Sequence, residues 1–146
     1  MGIDVFTNAT LILRGSIVIA ENPGSGINVF GGSMIELRGP TVQLIDNGAA
    51  GLVIGGGSNL ATFLFTASHG SMLTVNNHFV AGIIALDATL ELFNSPVTIS
   101  AANNGIGIWL IQNSYITNAS PLPGSVFLLV DNGVGLQLEG GPVPRL

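Results

Sequence analysis

Apolar and polar residues alternate in short runs along the whole chain. The runs end at Gly, Asn, Asp or Ser, as in residues 26–30 (GINVF) and 33–38 (SMIELR). An alternation of period two places successive side chains on opposite faces of a β-strand. The pattern therefore predicts an all-β protein built from many short strands that are joined by tight, polar corners.

These runs recur as a three-part unit. The first part starts at a Gly that precedes an apolar residue, the second is another alternating segment, and the third closes with Asn. The starting glycines are Gly2, Gly26, Gly51, Gly82, Gly105 and Gly135. Three strands per unit describe a coil, and stacked coils that pair their strands in parallel fill one continuous core. We predict a parallel β-helix of about five to six coils of three short strands; an antiparallel sandwich is the alternative, but it does not explain the recurring closing Asn.

The repeated unit also carries a resemblance. The segments GINV, SMIEL and TVQLIDN resemble the coils of right-handed parallel β-helix proteins, the pectin lyase-like superfamily, and the junctions VDNGVGLQL and IDNGAAGLVI are similar to those of autotransporter passengers and polymorphic outer-membrane proteins. The resemblance runs from Gly2 to about Leu138 and implies one right-handed β-helix domain over residues 1–146. That architecture carries lyases, hydrolases, adhesins and structural rods, so the resemblance implies a fold rather than an activity.

The composition of the chain excludes several structural classes and kinds of partner. The chain is 47% hydrophobic and 8% charged, with a net charge of −5, three Lys plus Arg and no Cys, and its mean hydropathy is +0.63. So much apolar material excludes disorder, and three basic residues make no footprint for nucleic acid. The apolar runs are too short for a membrane-spanning helix, and no signal peptide is visible. The resemblance implies an extracellular or cell-surface location.

The closing asparagines are expected to be structural. They are Asn22, Asn47, Asn77, Asn103 and Asn132. The resemblance implies that they stack as an Asn ladder, in which each amide bonds to its neighbour and satisfies the backbone of the corner. Asp46 and Asp131 directly precede two of them, a pairing typical of turns rather than of a calcium site. We expect no metal and no cofactor.

Two glutamates are the candidate catalytic residues. Glu36 and Glu91 occupy matching outward positions two coils apart, which separates them by roughly 9 to 10 Å, at the edge of the range for an inverting glycosidase. The lyases of the resembled superfamily use an Arg or Lys base beside acidic calcium ligands, and its hydrolases use clustered Asp with a Gly-His motif. Neither cluster is present, and His69 precedes its Gly. The residues favour a protein that is not an enzyme.

Two coils carry extra residues between their second and third strands, at 64–71 and 118–125. The coil between them has a tight corner, so we expect a notch floored by Phe93 and Asn94 and walled by His69 and Asn118. Loops on one side of a solenoid commonly bind ligands, here a glycan or a protein. The alternative is that these insertions have no function and are tolerated because lengthening a loop costs little.

No capping helix precedes the first coil or follows the last, where the sequence reads GGPVPRL. An uncovered coil exposes core and strand edges. Three explanations stand: a fragment of a longer solenoid with a flanking β-helix, end-to-end self-association of copies, or a covering partner. The leading functional prediction is a non-catalytic structural or binding module, a rigid rod of a surface or extracellular protein that is adhesin-like or self-assembling. The alternative is a polysaccharide-active lyase or hydrolase domain.

Overall fold

The computed structural model describes residues 2–38, 41–56, 61–66, 71–93, 97–118 and 126–140, and these residues form sixteen β-strands and no helix. The strands are β1 (Ile3–Val5), β2 (Thr10–Arg14), β3 (Ile17–Ala20), β4 (Ile27–Val29), β5 (Met34–Arg38), β6 (Thr41–Ile45), β7 (Ala50–Gly55), β8 (Ala61–Thr66), β9 (Ser71–Asn76), β10 (Ala81–Leu86), β11 (Ala88–Phe93), β12 (Val97–Ala102), β13 (Ile106–Ile111), β14 (Tyr115–Asn118), β15 (Val126–Val130) and β16 (Val134–Glu139).

Three parallel sheets are formed by every third strand. Sheet A has the order β1-β4-β7-β10-β13-β16, sheet B is β2-β5-β8-β11-β14, and sheet C is β3-β6-β9-β12-β15. The chain thus passes from sheet A to B to C and then begins the next coil, which confirms the predicted all-β parallel solenoid. Five stacked strands are separated by four steps, so the solenoid makes about four turns. This is slightly fewer than the five to six coils predicted.

The core is a set of columns in which equivalent residues of successive coils lie directly above one another. One column of sheet A runs Ile3, Ile27, Leu52, Ile83, Ile108 and Leu136, and its neighbour runs Val5, Val29, Ile54, Ala85, Leu110 and Leu138. Residues of the middle coils in these columns are fully buried. Burying each large aliphatic side chain stabilises the fold by about 1.5 to 3 kcal/mol, so this alternation is what selects the strand faces.

Core residues in the last strand of sheet A are more exposed than the equivalent residues of the middle coils. Leu136 and Leu138 of β16 are 38% and 49% exposed, whereas Ile108 and Leu110, one coil below, are 1% and 3% exposed. Since β16 pairs only with β13 among the described strands, apolar positions of the core face open space at this end of the described solenoid.

The corners between sheets C and A use a left-handed backbone. One residue per coil has a φ of 53° to 62° there, and these residues are Glu21, Asp46, Asn77, Asn103 and Asp131. Outside Gly, this conformation is best tolerated by Asn and Asp. The corner therefore favours Asp and Asn, which occupy four of the five positions, on conformational grounds.

Candidate functional site

A ladder of polar side chains runs inside the solenoid along the corner between sheets C and A. Each coil contributes one rung, placed just before the sheet A strand of the next coil. The rungs are Asn22, Asn47, His78, Asn104 and Asn132. The three central rungs, Asn47, His78 and Asn104, are 1%, 2% and 4% exposed, so every polar atom they bring into the core needs a partner.

The backbone N–H of each rung donates to the side chain of the next. Asn22 donates to Asn47 Oδ1 at 3.3 Å, Asn47 to His78 Nδ1 at 3.2 Å, His78 to Asn104 Oδ1 at 3.0 Å, and Asn104 to Asn132 Oδ1 at 3.0 Å. One acceptor atom per coil thereby satisfies an amide that the tight corner leaves outside the sheet hydrogen bonds.

The side-chain donors of the four rungs after Asn22 bond in the opposite direction, back to the coil below. Each donates to the carbonyl three residues before the preceding rung. The pairs are Asn47 Nδ2 to Ile19 O at 3.3 Å, His78 Nε2 to Leu44 O at 2.9 Å, Asn104 Nδ2 to Val75 O at 2.9 Å, and Asn132 Nδ2 to Ala101 O at 2.9 Å. Each of these four rungs thus bonds to two backbone groups of the coil below.

His78 occupies the place of an Asn in this scheme. Its Nδ1 accepts where the other rungs use Oδ1, and its Nε2 donates where they use Nδ2. The hydrogen-bond network therefore assigns a neutral ring with the proton on Nε2. Burial lowers the pKa of His78, and its hydrogen bonds to Asn47 and Leu44 and the charge of Asp46 oppose that effect.

The ladder differs by one residue from the sequence prediction in two coils. Asn22, Asn47 and Asn132 are rungs, but Asn77 and Asn103 are not: both lie one residue earlier, at the left-handed corner, where Asn77 Nδ2 donates to Asp46 Oδ1 at 2.8 Å. The corner and the rung both accept Asn, so a pair such as Asn103-Asn104 does not reveal which residue points inwards. A following Gly identifies the rung in three coils, because Gly comes directly after Asn47, Asn104 and Asn132.

A column of glycines lies against the ladder. A Cβ atom at Gly51 would lie 2.7 Å from His78 Nε2, and one at Gly26 would lie 2.9 Å from Asn47 Nδ2. At Gly82 and Gly107 the distances to Asn104 Nδ2 and Asn132 Nδ2 would be 3.1 and 3.0 Å. Contacts below 3.0 Å are essentially never made by a real Cβ. Glycine in this column of sheet A therefore makes room for the rungs, and in β13 the column residue is Gly107 rather than Gly105, which begins the segment in the sequence.

Serines fill a similar role at the corner between sheets A and B. Ser33 Oγ accepts the N–H of Ala9 at 3.2 Å, and Ser114 Oγ accepts the N–H of Ala88 at 3.0 Å while donating to Ile111 O at 2.8 Å. Both serines are buried. Their signal in the sequence is a serine directly before β5 and β14, which was not among the predicted site residues.

The two candidate catalytic glutamates lie in one column of sheet B. The column runs Ile12, Glu36, Leu64, Glu91 and Thr117, so Leu64 stands between the two glutamates. Glu36 is buried even though its strand position points away from the core. Arg14 and Arg38 lie two residues further along β2 and β5 and pair in register with each other.

The predicted notch is only partly within the described residues. His69 and Asn94 lie outside them, and so do residues 67–70 and 119–125 of the two insertions. Phe93 ends β11 and Asn118 ends β14, on neighbouring strands and in adjacent columns. The first insertion is shorter than predicted, because residues 64–66 continue β8 and pair with Glu91, Leu92 and Phe93.

The outer face of sheet A carries an apolar stripe that the sequence analysis did not identify. Val53, Ile84 and Trp109 follow one another in a single half-buried column. Beside it, Phe6 and Phe30 stack with ring centroids 5.9 Å apart. Among the described residues, Trp109 Nε1 and Thr89 Oγ1 are buried polar atoms without a hydrogen-bond partner.

The described part of the chain contains no group of three or more His, Cys, Asp or Glu residues that could hold a metal ion. None of its elements is a helix long and apolar enough to cross a membrane. The stacked sheets and the internal ladder define the molecule as a parallel β-solenoid. Comparison with known proteins gives no matching family model, no matching curated protein and no matching solved structure.

Proposed function

We propose that this protein is a non-catalytic structural or binding module, a rigid β-helical rod of a surface or extracellular protein. The observation that carries the proposal is the continuity of the ladder and the core columns from the first coil to the last described one. In a solenoid each coil contacts only its neighbours, so an unbroken line of hydrogen bonds between coils stiffens the whole length. The three-sheet parallel architecture and the ladder also support membership of the right-handed, pectin lyase-like group.

The proposed partner at the open end is a second copy or a flanking β-helix. Leu136 and Leu138 expose apolar core positions there, and β16 offers an unpaired edge among the described strands. A parallel strand added at this edge would continue sheet A and cover both leucines. An adhesin-like or self-assembling rod would use its ends in this way.

Sedimentation velocity over a wide concentration range tests the end contact. We expect the unmodified chain to form oligomers that grow with concentration and Leu138→Glu to remove them, because a carboxylate at a core position would be buried in the contact. The matched control is Leu128→Glu: Leu128 is as exposed but points outwards from sheet C, and its oligomers should persist. A monodisperse monomer of the unmodified chain at high concentration would overturn end-to-end assembly.

The proposed ligand of the insertions is a glycan or a protein. Binding to a panel of acidic and neutral polysaccharides, measured calorimetrically, tests the glycan arm. We expect binding without turnover that is lost when residues 67–70 are removed, while the strand residues 64–66 are kept because they pair with β11. Binding that survives this deletion would exclude the first insertion as the binding element.

A polysaccharide-active domain is the second candidate, favoured by the shared column of Glu36 and Glu91. Two strand spacings separate them by about 9 to 10 Å, which leaves room for a water between two carboxyl groups. Turnover of any polysaccharide that is abolished by both Glu36→Gln and Glu91→Gln, and retained in Glu139→Gln on sheet A, would replace the structural proposal with this one.

A further inference from the structure

One rung of the ladder is able to change its charge. Four rungs are Asn, and the fifth is His78, whose ring is almost completely buried between the corner that follows β6 and the corner that follows β12. Nδ1 lies 3.2 Å from the backbone N of Asn47, and Nε2 lies 2.9 Å from the carbonyl oxygen of Leu44. The neutral ring satisfies both groups, as an Asn would.

Protonation of the ring changes the partners at one of its two nitrogens. The new proton sits on Nδ1, so the N–H of Asn47 loses its acceptor and faces a second donor. The carbonyl oxygen of Asn47 also lies 3.2 Å from Nδ1 and accepts from the charged ring, which replaces one bond but leaves the Asn47 amide unpaired in the core. A buried donor without a partner destabilises the folded state.

The surroundings of the ring give it little means of adapting. Gly51 of β7 lies so close that a Cβ atom there would be 2.7 Å from Nε2 and 3.1 Å from Cγ1 of Val75 in β9. Within the described residues, the charged group that faces the ring from the elements packed around it is Asp46. Asp46 favours the protonated ring, but it lies at an exposed corner, where solvent weakens its field.

We propose that His78 is an acid-sensitive joint of the solenoid, at which protonation breaks the rung between the second and third coils and loosens their stacking. The direction follows from linkage. Burial holds the pKa of His78 below its ordinary value of 6.5 in the folded state, so only the unfolded chain takes up a proton just below that value. The stability that the neutral His78 rung contributes is fully present above about pH 6.5. It is lost as the pH falls from there to the folded-state pKa.

Equilibrium unfolding of the unmodified chain and of His78→Asn between pH 8 and pH 5 tests the proposal. One proton taken up only by the unfolded chain lowers the folding constant up to about tenfold per pH unit within this window. His78→Asn supplies a rung that does not titrate, so we expect it to remove this slope, whereas the matched control His69→Asn should keep it. All three proteins carry the same Asp and Glu residues, so the difference between their slopes reports the histidine that is replaced. Equal slopes in the unmodified chain and in His78→Asn would overturn the proposal.

Nuclear magnetic resonance of the unmodified chain provides a second test, which stands even if His78→Asn does not fold. At neutral pH the ring ¹⁵N shifts should place the proton on Nε2. On acidification the Asn47 amide should exchange at least several-fold faster relative to the His78 amide, whose acceptor is Asn104 Oδ1. A proton on Nδ1 at neutral pH, or a His78 titration midpoint at or above 6.5, would contradict the acid-sensitive joint.

Discussion

Each rung of the ladder after Asn22 meets three demands at a single residue. It accepts from the amide of the rung below, donates to a carbonyl of that coil, and fits against a glycine of the preceding sheet A segment. Asn meets all three with two atoms of one amide, and neutral His meets them with its two ring nitrogens. The glycine is as much a part of the rung as the polar side chain.

The Gly51→Ala substitution tests this coupling. The added methyl group would lie 2.7 Å from His78 Nε2 and 2.8 Å from the carbonyl oxygen of Gly82, so the ring must move and strain its bond to Leu44. We expect a loss of about 1 to 3 kcal/mol in the free energy of unfolding, measured by denaturant titration.

Gly24→Ala is the matched control for that experiment. A Cβ atom at Gly24 meets no atom within 4 Å, so the substitution should be neutral or stabilise by about 0.4 to 1 kcal/mol through the unfolded chain. Equal effects of the two substitutions would show that the space around His78 is not limiting.

Among the elements, the corner between sheets C and A distinguishes two neighbouring asparagines by their roles. Asn103 takes the left-handed backbone position with a φ of 55°, and Asn104 takes the rung. Asn104 accepts from His78 and donates to Val75. The two positions therefore respond differently to substitution although they are adjacent in sequence.

Asn104→Ala should cost about 2 to 4 kcal/mol of unfolding free energy, because it leaves a buried amide and a buried carbonyl unpaired. Asn103→Gly should change stability by less than about 0.5 kcal/mol, because Gly adopts the left-handed conformation without strain. Thermal and denaturant unfolding of the two variants compare them directly. The opposite order would mean that Asn103 is the rung.

The same corner shows what the sequence could and could not predict. The recurring three-part unit is sufficient to predict parallel stacked coils, because period two sets the buried face of each strand and the repeat sets which strands stack. The rung register was not predictable from Asn alone, since Asn103 and Asn104 each suit one of two adjoining positions. The extent of β8 was also missed: which residues of 61–66 pair is decided by β11 in the next coil, and no local pattern contains that information. For the candidate site, the sequence predicted the shared column of Glu36 and Glu91 but not the ring of His78 as a rung.

At the scale of the whole molecule, the ladder also has a bearing on chemical ageing. Three rungs, Asn47, Asn104 and Asn132, are each followed by Gly. An Asn side chain is most prone to deamidation when Gly is the next residue. In that reaction the Gly nitrogen attacks the side-chain amide carbon and releases ammonia, and water then opens the cyclic imide to aspartate or isoaspartate. In the fold, the N–H groups of Gly48, Gly105 and Gly133 donate to the carbonyls of the rungs below at 2.7, 3.1 and 3.0 Å.

We expect the folded protein to keep these three amides and the denatured chain to lose them. Peptide mass spectrometry after incubation at mildly alkaline pH, with and without denaturant, measures the difference; equal rates in both conditions would show that the ladder gives no protection. An aspartate in a rung lacks the Nδ2 donor and adds a buried charge, so a chain that deamidates while unfolded should not rebuild its ladder. The extent of deamidation at these three rungs would then increase, irreversibly, with the time that each molecule has spent unfolded.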